Sequence, residues 1–400
     1  MNKKAFALIG LLILSISILV SCNKLLPSLP AEDEVLDGPV AGLSGSQLSQ
    51  HIAGDIAFTD QVFSTETGLG PIFVATSCGS CHAGEGKGTP FTTLTRYGQI
   101  DSTGNQFLYL GGPQLQNRAL PGFIPEQIPA GATHSRFMPP ANTGLGLLEA
   151  VSDNDILAIA DPLDLDGDGI SGVPNWNFIP PYITPPANAA TIGGKYICRF
   201  GKKASVFNLL QQTVNAYNQD IGITSVFEPK DVFSGIDIDP EISTQTVNDV
   251  VFYLKTLKAP VQRTPNDLSV MEGKIIFMQA DCGNCHKPTL MTGFSPIDAI
   301  SYKEFHPYTD LLLHNMGPGL NDGYTEGNAL ISEWRTAPLW GLGLSPKSQG
   351  GQYLLLHDGR ATSIEQAIML HGGEATVSKN KFTQLTNSDR DKLLNFLKSL

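Results

Sequence analysis

Two short cysteine motifs constrain this chain more than any other feature of its sequence. Residues 78–82 read Cys-Gly-Ser-Cys-His and residues 282–286 read Cys-Gly-Asn-Cys-His, so both follow the pattern C-x-x-C-H. Two thiols at this spacing can form thioethers with the two vinyl groups of one porphyrin, and the adjacent histidine then reaches the iron. A zinc site would need two further ligands nearby, and a thioredoxin-like motif would not carry histidine in both copies. The sequence therefore predicts two covalently bound haem c groups, held by Cys78, Cys81, His82, Cys282, Cys285 and His286.

The N-terminal residues are typical of a secreted bacterial lipoprotein. Lys3 and Lys4 precede an apolar run over residues 5–20 that is too short for a membrane span. The run ends in Leu-Val-Ser-Cys, which resembles a lipobox with Cys22 as the lipidated residue; the alternative is an ordinary signal peptide with an incidental cysteine. We expect residues 1–21 to be the signal peptide and residues 22–54 a flexible tether. The protein would then be lipid-anchored in the cell envelope, facing the periplasm or the cell surface.

The charge balance limits the partners that this chain can bind. Its formal net charge is −12, whereas a nucleic-acid-binding protein carries a basic surface. No segment after the first 20 residues is long and apolar enough to span a bilayer. We therefore expect no nucleic-acid partner, and membrane contact through the lipid anchor alone.

Similar sequence patterns surround the two motifs and suggest two domains. Apolar residues recur at helical spacing over residues 246–257, 271–277 and 387–400, with Ser388 as a predicted N-cap; residues 70–74 precede the first motif as 271–277 precede the second. A leading helix, C-x-x-C-H, loops and a terminal helix are the plan of a class I cytochrome c domain. We expect a mainly α chain with two class I cytochrome c-like domains, residues 55–260 and 261–400. Its 41 glycines and 27 prolines predict long loop insertions.

Further segments are typical of one protein family. Besides the two motifs these are residues 334–340 and 356–360, and also 144–150, 164–172 and 371–375. With them the chain resembles the bacterial di-haem cytochrome c peroxidase superfamily, and most closely its di-haem oxidoreductase branch, often labelled thiol oxidoreductase-like. The resemblance implies that the C-terminal haem is six-coordinate and relays electrons, while the N-terminal haem opens a coordination site and binds peroxide.

His371 is the candidate sixth ligand of the C-terminal haem. A helix should begin near Ser363, a good N-cap, and residues 364, 367, 368 and 371 then share one apolar face. In the related peroxidases a methionine ligates this haem at the matching distance from the equivalent of His357. His371 stands there in this chain, which implies bis-histidine ligation and a lower haem potential. A core histidine bonded to a carbonyl, and Met369 as the ligand, are the alternatives.

The resemblance also implies an acid–base group beside the N-terminal haem, which moves a proton between the two oxygens of peroxide. The family's distal segment resembles residues 199–204 followed by Gln211 and Gln212, and its acid then falls at Asp220. Glu149 is a second candidate acid. The family's bridging tryptophan is absent from this segment, which leaves Trp176, Trp334 and Trp340 as electron relays or as packing residues.

Three other features are candidates for a role. His134, in a Pro-rich loop over residues 128–140, is a candidate displaceable ligand of the N-terminal haem. Asp164, Asp166 and Asp168 form D-x-D-x-D-G, in which alternate carboxylates converge on one hard cation, so calcium binding competes with a solvated acidic turn. Cys198 is left over once the haem and lipid cysteines are assigned, and we expect a buried free thiol.

These features favour one function over two others. The leading hypothesis is a di-haem oxidoreductase that reduces hydrogen peroxide, or uses it to oxidise a partner, with electrons from a protein or small-molecule donor. A non-enzymatic electron-transfer cytochrome with two six-coordinate haems is the alternative. A haem oxygenase acting on an organic substrate is the third hypothesis.

Overall fold

The computed structural model describes residues 31–98, 107 and 113–400. The predicted signal peptide, Cys22 and the first part of the predicted tether lie outside these residues. Residues 1–35 and 36–400 are two separate units. Of the first unit only residues 31–35 are described, with one turn of 3-10 helix at Glu32–Glu34. The remaining description concerns the second unit.

The second unit contains short helices separated by long irregular segments. The α-helices are Gly45–Thr59, Leu145–Glu149, Asp153–Ile159, Leu209–Asn215, Thr244–Thr256, Leu268–Gln279, Ser345–Ser348, Ile364–Met369, Thr376–Gln384 and Asn387–Ser399, and a π-helix spans Ala216–Ile221. Single 3-10 turns occur at Thr65–Thr67, Ala83–Glu85, Pro90–Thr92, Cys282–Asn284, Asp298–Ile300, Pro318–Leu320, Leu342–Leu344 and Gly373–Ala375. None of the helices in the described part of the chain has the length and apolarity that a bilayer crossing requires.

The strands are two to four residues long and form small antiparallel sheets. They are Ile72–Phe73 with Arg118–Ala119, Leu94–Tyr97 with His134–Phe137, Asn175–Asn177 with Lys195–Cys198 and Thr191–Ile192, Leu290–Met291 with Glu304–Phe305, and Leu313–Asn315 with Glu333–Arg335. In the second of these pairs Leu94 lies opposite Phe137 and Tyr97 opposite His134.

The expectation of a mainly α chain is wrong. Helices account for only 35% of the structure and strands for about 12%, and no class I cytochrome c domain is evident. The fold is mixed, with α-helices, short strands and many loops. Proline lacks a backbone donor and interrupts helices, so the Pro-rich segments between residues 113 and 190 form turns and short strand pairs instead.

Each motif is nevertheless preceded by a helix that crosses a later helix closely. Gly45–Thr59, capped by Ser44, packs on Thr244–Thr256. Leu268–Gln279, capped by Asp267, packs on Asn387–Ser399. Glycine permits both crossings, since a Cβ at Gly54 would collide with the carbonyl of Asp249. A Cβ at Gly273 would likewise collide with that of Lys392.

Three sequence-based helices are confirmed, and one assignment is corrected. The helices expected near 246–257, 271–277 and 387–400 are present, although the last is capped by Thr386 rather than Ser388. Residues 45–54, assigned to the tether, belong instead to the helix Gly45–Thr59. Its capping box between Ser44 and Gln47 and its burial of His51 and Phe58 explain the difference.

Two large hydrophobic clusters form most of the core of the described residues, and three smaller ones accompany them. One is drawn entirely from residues 270–400 and includes Phe277 and Phe396, whose rings lie 5.4 Å apart. The other joins residues 58–257 to Leu290, Phe305, Leu311, Leu312 and Trp340. The domain boundary at residue 260 therefore stays a prediction, because the larger cluster crosses it.

Candidate haem pockets and acid–base site

The first motif holds His82 in a defined orientation. The amides of Cys81 and His82 both donate to the carbonyl of Cys78, so the motif forms a tight turn. Nδ1 of His82 donates to the carbonyl of Pro140 at 3.0 Å, which fixes the tautomer and leaves Nε2 as the basic nitrogen. Burial lowers the pKa of His82 to about 4, so the ring is neutral at pH 7.

The second motif repeats this arrangement with different supporting residues. A single 3-10 turn spans Cys282–Asn284, and the amide of His286 donates to the carbonyl of Cys282. Nδ1 of His286 donates to the carbonyl of Tyr308 at 2.9 Å. Burial also lowers the pKa of His286 to about 4. Both histidines therefore present a neutral imidazole whose Nε2 is the available ligand atom.

These residues fit a haem at each motif. Cys78, Cys81, Cys282 and Cys285 are all free thiols rather than disulfides. Iron binds imidazole in its neutral form, and a carbonyl bonded to the second ring nitrogen is the usual support for such a ligand. The chain would hold one haem at each motif through these thiols and through His82 and His286.

We use the term second pocket for the surroundings of the second motif, and His371 is the further ligand predicted for it. Ser363 caps the helix Ile364–Met369 as predicted, and His371 follows two residues after its end. Nδ1 of His371 donates to the carbonyl of Ala367 at 2.7 Å, so Nε2 is again the free nitrogen. Burial also lowers the pKa of His371, which favours the neutral imidazole that iron binds. Met369 is 44% exposed, which disfavours it as a ligand.

Asp220 lies beside the first motif. It belongs to the π-helix Ala216–Ile221, a rare element that is frequent at functional sites. Its carbonyl accepts the amides of Val74 and Ala75, which immediately precede the motif. Burial raises the pKa values of the Cys78 and Cys81 thiols, and the negative charge of Asp220 raises them further. The structure therefore brings this carboxyl group and the first haem-attachment thiols together.

The surroundings of Asp220 give it an unusual proton affinity. Burial raises its pKa to about 7, while Arg96 and a hydrogen bond from Gln114 partly oppose that change. Nε2 of Gln114 donates to Oδ1 of Asp220 at 2.6 Å. Arg96 also pairs with Glu326, with Nη2 and Oε1 2.8 Å apart. A carboxyl group with a pKa near 7 can take and return a proton at neutral pH.

Comparison with known proteins assigns the chain to a family. The family model described as "Di-haem oxidoreductase, putative peroxidase" matches residues 134–400. The chain belongs to this di-haem oxidoreductase family. The matched region contains the second motif, whereas the first motif precedes it.

Other comparisons add little. No curated protein sequence matches the chain. Among solved structures it is similar to hydrazine synthase from Kuenenia stuttgartiensis pressurised with xenon, at 13% identity over 94% of this chain and 98% of that chain, with a TM-score of 0.36. A likeness of this degree carries no argument about activity.

In this di-haem oxidoreductase, the other predicted acid–base residues form bonds within the local fold, and their catalytic role stays a prediction. Oε1 of Gln211 accepts the amide of Phe207 at 2.8 Å, and Gln212 is half-buried on the same helix. Oε2 of Glu149 accepts the amide of Leu209 at 2.6 Å, and its Oε1 lies 2.7 Å from Nζ of Lys255. Glu149 thus stabilises the start of a helix. Gln114, and not Gln211, contacts Asp220.

Sequence reasoning missed Gln114 and Arg96 because no local pattern marks them. Gln114 is 106 residues from Asp220 along the chain, and the contact is made only by the tertiary fold. Arg96 lies in the strand Leu94–Tyr97, where an arginine is unremarkable. Burial of an amide and a guanidinium next to one carboxyl group is visible only in the structure.

His134 does not lie in an irregular loop. It begins the strand His134–Phe137 and its side chain is exposed. His134 and Arg136 are exposed whereas Ser135 and Phe137 are buried, which is the alternation of a strand with one buried face. No contact in the described residues links His134 to the first motif, so its role as a displaceable ligand stays a prediction.

The acidic loop is arranged differently from the predicted triad. Carboxylate oxygens of Asp161, Asp164 and Asp166 lie within 4.8 Å of one another. Asp168 turns away, and its Oδ2 accepts Nδ2 of Asn284 in the second motif at 3.0 Å. Backbone amides already donate to several of these carboxylates. Calcium binding by Asp164, Asp166 and Asp168 therefore stays a prediction.

Trp334, Trp340 and Cys198 pack against other side chains of the fold. Trp334 stacks on His357 with ring centroids 3.7 Å apart, and Nζ of the buried Lys203 lies 3.9 Å from its ring centroid. A cation against the indole disfavours further positive charge on the ring, which argues against oxidation of Trp334. Trp340 packs in the larger core cluster. Cys198 is a buried free thiol, and burial raises its pKa to about 12.

Proposed function

We propose that this di-haem oxidoreductase binds both haems covalently and reduces hydrogen peroxide at the haem of the first motif. Cys78 and Cys81 would attach the first haem, and Cys282 and Cys285 the second. The observation that carries this proposal is the half-buried Asp220, bonded to the buried Gln114, beside the first motif. A pure electron carrier has no need for a proton-transfer group with a pKa near 7.

The bound haems would supply redox equivalents and an open coordination position. Reduction of one peroxide to two water molecules consumes two electrons and two protons, and a protein or small-molecule donor would provide the electrons. The part of this chain is to move the protons. Oδ of Asp220 would take a proton from the bound substrate and return it to the leaving oxygen.

Gln114 would orient Asp220 for this transfer. Its Nε2–H is held 2.6 Å from Oδ1, which leaves Oδ2 to face the substrate. Arg96 adds positive charge nearby and limits the rise in the pKa of Asp220. Gln114 and Arg96 would therefore keep a substantial fraction of Asp220 in its carboxylate form at neutral pH.

The second pocket would relay electrons rather than bind substrate. His371 would hold this haem together with His286, because each donates Nδ1 to a carbonyl and presents Nε2, and because the helix before His371 packs in the same core cluster as Cys282. Two histidine ligands leave no position for peroxide. This inequality between the pockets supports an enzyme with one reactive and one relaying haem.

The location and the cation site are further proposals. We infer lipid attachment at Cys22 from the lipobox-like sequence, with the folded part outside the cytoplasm. Outside the cytoplasm the compartment is oxidising and haem can be attached to cysteines, which suits the two C-x-x-C-H motifs.

We infer a calcium ion at the acidic loop from the convergence of Asp161, Asp164 and Asp166.

The test of the proposed function is a stopped-flow reaction. The full chain, matured with both haems, is reduced until only the C-terminal haem is ferrous and then mixed with hydrogen peroxide. A rapid Soret change and oxidation of an added donor are expected. No spectral change at millimolar peroxide would instead favour the electron-transfer cytochrome.

A further inference from the structure

A buried cluster beside the second motif is not used by the proposed chemistry. His314 is 3% exposed. Its Nε2 lies 2.8 Å from Oδ2 of Asp310, and its Nδ1 lies 2.8 Å from Oε2 of Glu374. Burial disfavours the charged ring, but the bonds to Asp310, Cys285 and Glu374 outweigh it and raise the pKa of His314. Both ring nitrogens therefore donate, and His314 is an imidazolium between two carboxylates.

The two carboxylates belong to the segments that orient or carry the two predicted histidine ligands of the second haem. Asp310 follows Tyr308, whose carbonyl accepts Nδ1 of His286. Glu374 follows His371 by three residues. His314 therefore ties the segment that orients His286 to the segment that carries His371. Sγ of Cys285 also lies 3.6 Å from Nδ1 of His314, so the tie runs directly beside the haem-attachment turn.

Glu374 is held by more donors than His314 alone. Oγ of Ser171 donates to Oε1 at 2.8 Å, and the amide of Ser171 donates to Oε2 at 3.1 Å. The amide of Asn315 donates to Oε1 at 3.0 Å. With four donors around one carboxylate, its position is fixed from several directions, and the same bonds lower the pKa of Glu374 despite burial.

The chain between His371 and Glu374 needs such support. Its two residues are Gly372 and Gly373, and Gly373 adopts a positive φ of 52°. Both glycines lie against the backbone of Asn315 and Met316, where a Cβ would collide with a carbonyl, so the path of this link depends on that segment. The helix Ile364–Met369 fixes the N-terminal side of His371, and Glu374 bonds the amide of Asn315 on the C-terminal side.

We propose that Glu374 is a positioning residue that holds His371 in the second pocket through its bonds to His314, Ser171 and Asn315. Ser171 belongs to the same loop as Asp168, which bonds Asn284 in the second motif. One loop from the first half therefore braces both the attachment turn and the His371 segment. The proposal rests on the proposed ligation of the second haem by His371.

The experiment measures the spin state and the midpoint potential of the C-terminal haem in the full chain with both haems bound. Glu374→Gln keeps the shape of the side chain but turns a neutral amide toward His314. We expect part of this haem to become high-spin, with the covalent mass unchanged, and a higher potential because a buried negative charge is lost. Glu374→Asp keeps the charge and should recover part of the low-spin signal.

A matched control and a separate variant make the outcome decisive. Glu365→Gln removes a carboxylate from the helix before His371 whose side chain pairs with Arg390 at the surface, and it should leave spin state and potential unchanged. His371→Ala tests the ligand itself. If His371→Ala leaves the haem low-spin, the ligand assignment fails. If His371→Ala converts the haem but Glu374→Gln retains the wild-type spin state and potential, the positioning proposal is overturned.

Ser171→Ala covers the case in which Glu374→Gln does not fold. It removes one donor to Glu374 and keeps the buried charges in place. We expect a smaller high-spin fraction than in Glu374→Gln. A wild-type spectrum and potential in Ser171→Ala would also overturn the proposal.

Discussion

Replacing Asp220 by asparagine tests the proposed acid–base group directly. Asparagine keeps the size of the side chain and an oxygen that can accept from Gln114, but it cannot take up a proton at neutral pH. Loss of a positioned acid–base group costs about 10²–10⁴-fold in rate, or about 3–5 kcal/mol in the barrier. We expect the peroxide reaction of the half-reduced protein to slow by this factor, with both haem spectra retained.

The pH dependence provides a second signature of the same residue. Burial raises the pKa of Asp220 to about 7, and the reactive form is the carboxylate. The rate should therefore rise as the pH increases through about 7, and this step should be absent in Asp220→Asn. Gln114→Leu removes the donor at 2.6 Å that stabilises the carboxylate. A hydrogen bond to a charged group contributes about 1.5–3 kcal/mol, so the step should move about one to two pH units higher.

The assay follows the Soret band after stopped-flow mixing with hydrogen peroxide over a range of pH. Asp239→Asn is the control, because it makes the same chemical change at an exposed position in the same half of the chain. A rate in Asp220→Asn within about threefold of the wild type would refute the assignment, since general acid–base catalysis contributes far more. A step that stays at the wild-type pH in Gln114→Leu would show that another group titrates.

Four further predictions concern the cofactors and the anchor. Intact-mass analysis after export with the cytochrome c maturation machinery should show two haem additions, and one or none would contradict the architecture. Metabolic labelling with a fatty-acid analogue should mark the wild type but not Cys22→Ala, whereas equal labelling would argue against the anchor. His371→Met should raise the potential of the C-terminal haem and add a sulfur-to-iron charge-transfer band; an unchanged spectrum would place the ligand elsewhere. Calcium titration calorimetry should detect one site that Asp164→Asn weakens, and no heat in the wild type would exclude it.

The parts of the fold that sequence could predict are those set by local signals. Ser363 as an N-cap and the apolar spacing after it predicted the helix Ile364–Met369. The helix Asn387–Ser399 was predicted by its apolar periodicity for the same reason. The fold class was predicted wrongly because two helix pairs were taken to represent the whole chain. The strand His134–Phe137 was not predicted, because the prolines around it indicated an irregular loop rather than a short strand pair.

The candidate site divides in the same way. The two motifs and Asp220 are recognisable from residue types and family spacing, because each is a short segment of sequence. Gln211 and Gln212 were placed beside Asp220 by proximity in sequence, but Gln211 is committed to the amide of Phe207. The true neighbour, Gln114, comes from a distant segment. Long-range contacts of this kind depend on packing that a single sequence does not encode in any local pattern.

The two pockets differ in how their polar groups are satisfied, and this difference bears on which haem can react. At the second pocket the charged groups are paired, because His314 lies between Asp310 and Glu374 with a nitrogen–oxygen distance of 2.8 Å to each. Such a closed network resists rearrangement, which suits a haem that changes only its oxidation state. At the first pocket Asp220 has a single side-chain donor, Gln114, and an intermediate proton affinity. A carboxyl group that is neither fully ionised nor fully neutral can gain or lose a proton when the charge near it changes, and for this reason we propose the proton-coupled chemistry at the first motif.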